Sequence, residues 1–195
     1  CWSSLFLFVC LCLHGCANHF PGSARRAAEL WGSLDGSTSA SLTVLNPPNG
    51  EPLMVDVAVW RGTNLAEDLA ARDFTINALA AVVQGDTARV VDVTGGLADL
   101  HARRLRAVSR HAFSDDPLRC LRGVRILAEL AAWNFRLEAD SAELITHSAA
   151  QLANISNERI RDELHRTLNA PQPQMSLQRW AELGLLSQIL PEAAA

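Results

Sequence analysis

Arg72-Asp73-Phe74-Thr75-Ile76-Asn77-Ala78 is the stretch on which the reading of this chain turns. It interleaves a cation, a carboxylate and an amide with apolar residues. The apolar members can anchor the segment to a core while the polar ones hold a ribose and a phosphate. Read as helix, the segment puts Asp73 and Asn77 four residues apart on one face, with Arg72 beside them. The competing reading is an ordinary helix start, with Asp73 at the positive end of the helix dipole. Downstream lies a second polar cluster, Asp115-Asp116-Pro117-Leu118-Arg119.

Around these clusters the composition is that of a globular chain. Of 195 residues, 49% are hydrophobic and 19% charged, which excludes a disordered or fibrous class. The length suffices for one domain or two small ones. A net charge of −4 argues against bulk, sequence-independent nucleic-acid binding over the whole surface. The charge is unevenly placed, however. All 17 basic residues are arginine. Residues 101 to 125 hold Arg103, Arg104, Arg106, Arg110, Arg119, Arg122 and Arg125 against only Asp115 and Asp116. That excess suits an RNA or triphosphate partner, and arginine meets phosphate bidentately; the alternative is a solvated arginine face. Of the five cysteines, Cys10, Cys12 and Cys16 lack the spacing of a zinc site, and Cys120 reads as a core thiol. The apolar run Leu5 to Leu13 is too short to span a bilayer. It reads as a foreign or truncated leader, the alternative being a signal-peptide core, so the compartment stays open.

Periodicity divides the rest. Ala24 to Trp31 reads as helix, Ser39 to Leu45 as a strand ending at Asn46-Pro47-Pro48-Asn49-Gly50, and Leu53 to Trp60 as an alternating strand that completes a hairpin. One short helix is expected over Leu65 to Leu79. Short strands follow at Ala81 to Val83 and Arg89 to Val93, then a turn of helix after Gly95-Gly96 and a strand at Leu105 to Val108. From Asp116 the pattern is helical. Helices are predicted over residues 117 to 132, Ser141 to Gln151, Ser156 to Leu168 and Met175 to Leu183, the last stopped by Gly184. Ser156 is a fair N-cap, although Arg159 in the first turn does not complete a capping box. The expectation is an α+β chain with a mixed sheet, divided as a leader over 1–23, a head over 24–110 and a helical neck over 111–195.

Two positions keep two readings each. Asp56 stands in an otherwise apolar strand, so it is either an exposed edge residue or a buried carboxylate that binds a metal. Asp116 before Pro117 is an ordinary N-cap with proline at the first helical position. With Arg119 it equally offers a ligand an acceptor and a donor side by side, and local pattern alone does not separate the two readings.

Taken together, these segments resemble the tRNA nucleotidyltransferase and poly(A) polymerase family, the CCA-adding enzymes. Arg72 to Leu79 is similar to the family's R-R-D-F-T-x-N-A motif, with Ala71 in place of the first arginine. Asp115 to Arg119 resembles its acidic-D-x-x-R motif, and Leu121 to Arg125 its L-R-x-x-R-F run, with Ile126 for the usual phenylalanine. Asp92, Gly95, Gly96, Asp99 and Leu100 match D-x-x-G-G-x-x-D-L. Ile155 to Ile160 matches its neck helix and Gly184 to Pro191 its G-L-L-x-x-I-L-P ending. The resemblance implies a polymerase-beta-like head followed by a neck, with CMP and AMP added from CTP and ATP to the tRNA 3′ end under Mg²⁺. It implies nucleotide binding by Arg72, Asp73, Asn77, Asp116, Arg119 and Arg122, and a catalytic, metal-supporting role for Asp56. No membrane partner is implied, and both cytosol and organelles are usual for the family.

The resemblance also marks what this sequence lacks. The family's glycine-rich loop and Asp-x-Asp pair have no counterpart before Asp56, so the chain is expected to be inactive alone, although its parent is an enzyme. A non-catalytic RNA- or nucleotide-binding remnant and a poly(A) polymerase relative are the alternatives. Between Arg61 and Glu67 only Gly62 to Ala66 remain of a usually longer loop, a shortening that marks relatives adding CC alone.

Overall fold

The computed structural model describes residues 10–11, 40–44, 53–57, 62–84, 87–170 and 172–193, with backbone alone for 10–11, 40–44, 53–57, 82–84, 87–88 and 193. The helix expected at Ala24 to Trp31 and the leader residues other than 10–11 lie outside them. The fold is α+β and divides into two compact units that interleave along the chain. One takes Leu69–Leu79 and everything from Asp92 on; the other takes the described residues up to Asp68 together with Ala80–Val91.

The smaller unit carries the β2–β3 hairpin and most of a three-stranded sheet. Strand β2 (Ala40–Val44) pairs antiparallel with β3 (Leu53–Val57), in a register from Ala40 opposite Val57 to Val44 opposite Leu53. This is the hairpin expected from the alternation and the Pro-Pro turn. In a second sheet, β1 (Cys10–Leu11) runs parallel to β4 (Leu79–Gln84), with β5 (Thr87–Asp92) on the other side of β4. Helix α1 (Leu65–Ala70) begins with a reciprocal cap. Asn64 Oδ1 accepts the Glu67 N–H at 3.0 Å, and Glu67 Oε2 accepts the N–H and hydroxyl of Thr63 at 2.7 and 2.9 Å.

The single helix expected over Leu65 to Leu79 is not observed. α1 ends at Ala70, Phe74 lies in extended backbone bridged to Ala107, and Thr75–Asn77 forms one 3₁₀ turn. Tertiary bonds override the local helical pattern: Thr75 N–H donates to the Arg106 carbonyl at 2.9 Å, and Val108 N–H to that of Asp73 at 3.0 Å.

The larger unit is mostly helical. It contains α2 (Gly96–His101), α3 (Ala112–Asp115), α4 (Leu118–Glu129), α5 (Ala139–Ser148), α6 (Asn157–Leu168), α7 (Pro173–Glu182) and α8 (Leu186–Ile189). The strand expected at Leu105 to Val108 shrinks to β6 (Arg104–Leu105), paired in parallel with β7 (Arg136–Leu137). Pro173, expected between helices, sits in the first turn of α7, where its missing N–H goes unused. Gly184 stops that helix in the left-handed region at φ 71°. α4 packs against α6 and α7 through Leu121, Val124 and the fully buried Trp180, whose indole N–H donates to the Leu121 carbonyl at 3.3 Å. Cys120 is in this core, as expected, and burial pushes its thiol up to about 12. Among the described residues no helix is long and apolar enough to cross a membrane.

Candidate nucleotide-reading site

Packing fixes the decisive segment first. Phe74 is fully buried against Phe113, ring centroids 5.9 Å apart and tilted by 56°. Its ring lies directly over Gly123 of α4, where an added Cβ would stand 2.5 Å from Phe74 Cζ. Gly96 allows an even closer approach, since a Cβ there would fall 2.1 Å from the Thr75 carbonyl oxygen. The two glycines therefore let helices α4 and α2 close on the segment from both sides.

Polar bonds then set its outer face. The Thr75 hydroxyl donates to Asp99 Oδ2 at 2.7 Å, and Arg104 and Arg106 donate to the same carboxylate at 2.6 and 2.7 Å. Burial opposes the Asp99 charge, yet these bonds outweigh it and hold the carboxyl below the ordinary range. Asp92 behaves alike: burial works against its charge, but four backbone N–H groups, from Thr94 to Leu97, cap it and keep it low.

Asp73 is 7% exposed and satisfied from within. Its Oδ1 accepts the Phe74 N–H at 2.8 Å and the Asn77 amide at 3.2 Å. Arg122 Nε stands 2.8 Å from Oδ2, a charge contact without a directed hydrogen bond. Asp73 and Asn77 do meet, through a turn rather than along a helix face. The Arg122 side chain, 41% exposed, is the part of this trio that faces outward.

The second cluster docks onto the first. Asp116 is extended (φ −150°, ψ 96°) and Pro117 already helical (φ −60°, ψ −23°), so Asp116 caps α4 by accepting the Leu118 N–H at 3.3 Å. Arg119 spends its guanidinium on backbone, donating to the carbonyls of Ala71 at 2.8 Å and of Arg72 and Ala112 at 3.1 Å each. Arg72 reaches the Asn77 carbonyl at 3.5 Å. Arg72, Asp73, Asn77, Arg119 and Arg122 are thereby joined around α4, and Asp116 stands one turn before Arg119, its carbonyl accepting the Arg119 N–H at 3.0 Å.

Sequence reasoning missed one member. Arg159 Nη2 donates to both oxygens of Asp116, at 3.1 and 2.9 Å. The signal was present: a cation in the first turn of α6 opposes the helix dipole and needs an anionic partner. Ser156, expected to cap α6, makes no side-chain cap bond.

Asp56 lies on β3 opposite Ser41, and its side chain is outside the described residues. Among the described residues no three His, Cys, Asp or Glu side chains come together to hold a metal ion.

Comparison with known proteins decides the family. A family model for the poly A polymerase head domain matches residues 38–106, and one for a probable RNA- and SrmB-binding site of polymerase A matches 134–195. The chain belongs to the tRNA nucleotidyltransferase and poly(A) polymerase family. It is 43% identical over 148 residues to the CC-adding tRNA nucleotidyltransferase of Geobacter sulfurreducens, covering 74% of this chain and 33% of that protein. It is 43% identical over 133 residues to the multifunctional CCA protein of Pseudomonas aeruginosa, covering 67% and 32%. The chain spans about a third of the length of the curated relatives it matches. A solved CCA-adding enzyme in complex with CTP superposes with a TM-score of 0.70 at 29% identity, covering 87% of this chain and 42% of that one. The Thermotoga maritima CCA-adding enzyme with tRNA gives 0.66 at 27%, covering 88% and 42%.

Proposed function

We propose that this chain is the nucleotide- and RNA-handling part of an enzyme that adds CMP and AMP, from CTP and ATP, to the tRNA 3′ end without a template. The observation that carries this reading is the start of α4, where the Leu118 N–H and Arg159 hold the Asp116 carboxylate one turn before Arg119. Asp116 uses one lone pair on the Leu118 N–H and others on Arg159. A carboxylate has about four such sites, so acceptor capacity remains for the exocyclic amino group of cytosine or adenine. Uracil and guanine present a carbonyl at the corresponding position and are repelled. Arg122, outward-facing and tethered to Asp73, donates to a ring acceptor or a phosphate. Arg119 positions, pinning the Ala71-Arg72 backbone to the helix that carries Asp116. Arg72, Asp73 and Asn77 shape the sugar side.

Catalysis by this chain alone is not part of the proposal. Nucleotidyl transfer in the family uses Mg²⁺, for which the sequence offers Asp56 without an Asp-x-Asp pair before it. A second reading, addition of CC alone, is favoured by the short Gly62–Ala66 connection held in the Thr63-Asn64-Glu67 cap, and by the likeness to a CC-adding relative.

Calorimetry of CTP, ATP, UTP and GTP with Mg²⁺ tests the site, on the unaltered chain and on Asp116→Asn. CTP and ATP are expected to bind in preference to UTP and GTP, and Asp116→Asn, which turns an acceptor into a donor, to erase the preference. Equal affinity for all four, or none with a folded chain, would sink the reading. Incorporation of labelled CTP into tRNA lacking its CCA end tests the absence of catalysis directly.

A further inference from the structure

Among the described residues the two non-glycine residues in the left-handed region, Arg103 (φ 54°) and Asn134 (φ 57°), flank one strand pair, β6 with β7. Asn134 is a usual occupant of such a position; Arg103 is not. It follows α2 as the residue that ends the helix, its N–H bonded to the Leu100 carbonyl at 3.2 Å, where glycine is the unstrained choice. Glycine does end α7, at Gly184. At Arg103 a charged side chain is kept against the preference of the backbone.

The next observation is independent. In the β6–β7 register Arg104 stands opposite Arg136, with Leu105 and Leu137 turned inward. Parallel neighbours lie about 4.8 Å apart, so Arg136 shares one pleat with Arg104, whose guanidinium is already held by Asp99 at 2.6 Å. Arg136 N–H donates to the Arg103 carbonyl at 2.9 Å, which brings the third arginine to the same edge. Arg103, Arg104 and Arg136 are all exposed, and the carboxylate beneath them, Asp99, is buried and shared between Arg104 and Arg106. Backbone strain at Arg103 disfavours this edge in the free protein, and an anion spanning the three arginines offsets their remaining positive charge.

We propose that Arg103, Arg104 and Arg136 form a phosphodiester-binding edge for RNA. The choice of RNA rests on the function proposed above. The edge is separate from the Asp116 network in residues and in role: it holds the backbone and reads no base.

The test is tRNA binding by anisotropy at several salt concentrations, with CTP calorimetry alongside. The variants are Arg103→Gly, Arg136→Gln and, as a control for net charge, Arg161→Gln, whose side chain is 72% exposed and pairs only with adjacent Asp162. Arg103→Gly and Arg136→Gln are each expected to weaken tRNA about tenfold at 0.1 M salt and to lower the salt slope by about 1. Arg161→Gln leaves both unchanged, and CTP affinity is the same in all three. Arg103→Gly should also raise the unfolding midpoint by about 2–4 °C, a gain in stability with a loss of binding that a structural role cannot produce. Equal effects of all three variants, no effect of the first two, no tRNA binding by the unaltered chain, or competition by polyglutamate as strong as by RNA would each overturn the proposal. Loss of CTP binding with the tRNA pattern intact would remove the nucleotide-reading function and leave the edge standing.

Discussion

Arg159 closes over Asp116 from a helix that begins 41 residues further along the chain, its Nη2 within 3.1 and 2.9 Å of the two carboxylate oxygens. The pair is half open to solvent, with side chains 50% and 30% exposed, so it adds at most about 1 kcal/mol to stability. Its consequence is orientational. Arg159→Ala should leave the unfolding midpoint within a few degrees and weaken CTP by about tenfold, equivalent to ~1.4 kcal/mol. Arg159→Lys, a point charge on a flexible four-carbon stem of slightly shorter reach, should restore part of the affinity. Calorimetry beside a thermal melt separates the two effects; an unchanged CTP affinity would remove Arg159 from the site.

Gly123→Ala is the sharpest test of how the Arg72–Ala78 segment is held. The new methyl group meets the Phe74 ring at 2.5 Å, and that ring is fully buried against Phe113 and has no open side to move into. Overpacking of this kind costs about 1–3 kcal/mol. Displacement of Phe74 drags Asp73 off Arg122, so nucleotide affinity should fall with stability. Urea unfolding and CTP titration of one preparation would show both, and a variant as stable as the parent would contradict the packing.

Much of this was legible in the chain. The Leu53, Val55, Val57 alternation and the Pro-Pro turn gave the β2–β3 hairpin, the Asp116-Pro117 pair gave the start of α4, and Gly184 the end of α7. What failed had tertiary causes. Residues 65 to 79 score as one helix by local pattern, but Phe74 is drawn into a bridge with Ala107 and Thr75 onto Asp99, 24 residues away. Asp73 and Arg119 stood out in the sequence as residue types, but their partners did not. Only the fold shows that Asp73 is nearly buried and bonded by the Phe74 N–H and the Asn77 amide, and that Arg119 faces three carbonyls.

The acid limit of stability should trace to Asp99 and Asp92. Both carboxyls titrate below their ordinary value of 3.8 in the folded state. A depressed folded pKa contributes stability that is complete above the unfolded value and is lost as pH falls through the folded one. Stability should therefore be flat with respect to these groups above about pH 5 and decline below pH ~4. The penalty of Asp99→Asn, measured by urea unfolding, should be largest near neutrality and shrink through that acid window. A penalty independent of pH from 7 to 3 would show that the Asp99 charge is not what binds Arg104, Arg106 and Thr75 together.

Cys120 should be silent to thiol reagents. Its thiol is fully buried and, with burial as the main cause, pushed up to about 12, so at pH 8 almost none of it is thiolate. Iodoacetamide on the native protein, followed by peptide mapping, should leave Cys120 unmodified, and alkylation should become complete in urea. Native labelling at Cys120 would mean that the core around Leu121 and Ile145 opens readily.

Arg125 bridges α4 to α6 through Glu163, Nε to Oε1 at 2.6 Å, and also contacts Glu129 on its own helix. Arg125 and Glu163 are only 12% and 3% exposed, so the pair is desolvated, and its net worth differs from the penalty of breaking it. Hydrogen bonds and charge from Glu163 outweigh burial and keep Arg125 protonated. Glu163→Gln strands the guanidinium with Glu129 alone and should cost about 3 kcal/mol, the low end for a broken buried pair, because Glu129 offsets part of the charge. Arg125→Met combined with Glu163→Met removes both charges and fills the space with apolar volume, so it should recover most of that loss. A double-mutant cycle in urea gives the coupling directly. A double variant less stable than Glu163→Gln would mean that the ion pair itself, rather than its being paired, holds α4 to α6.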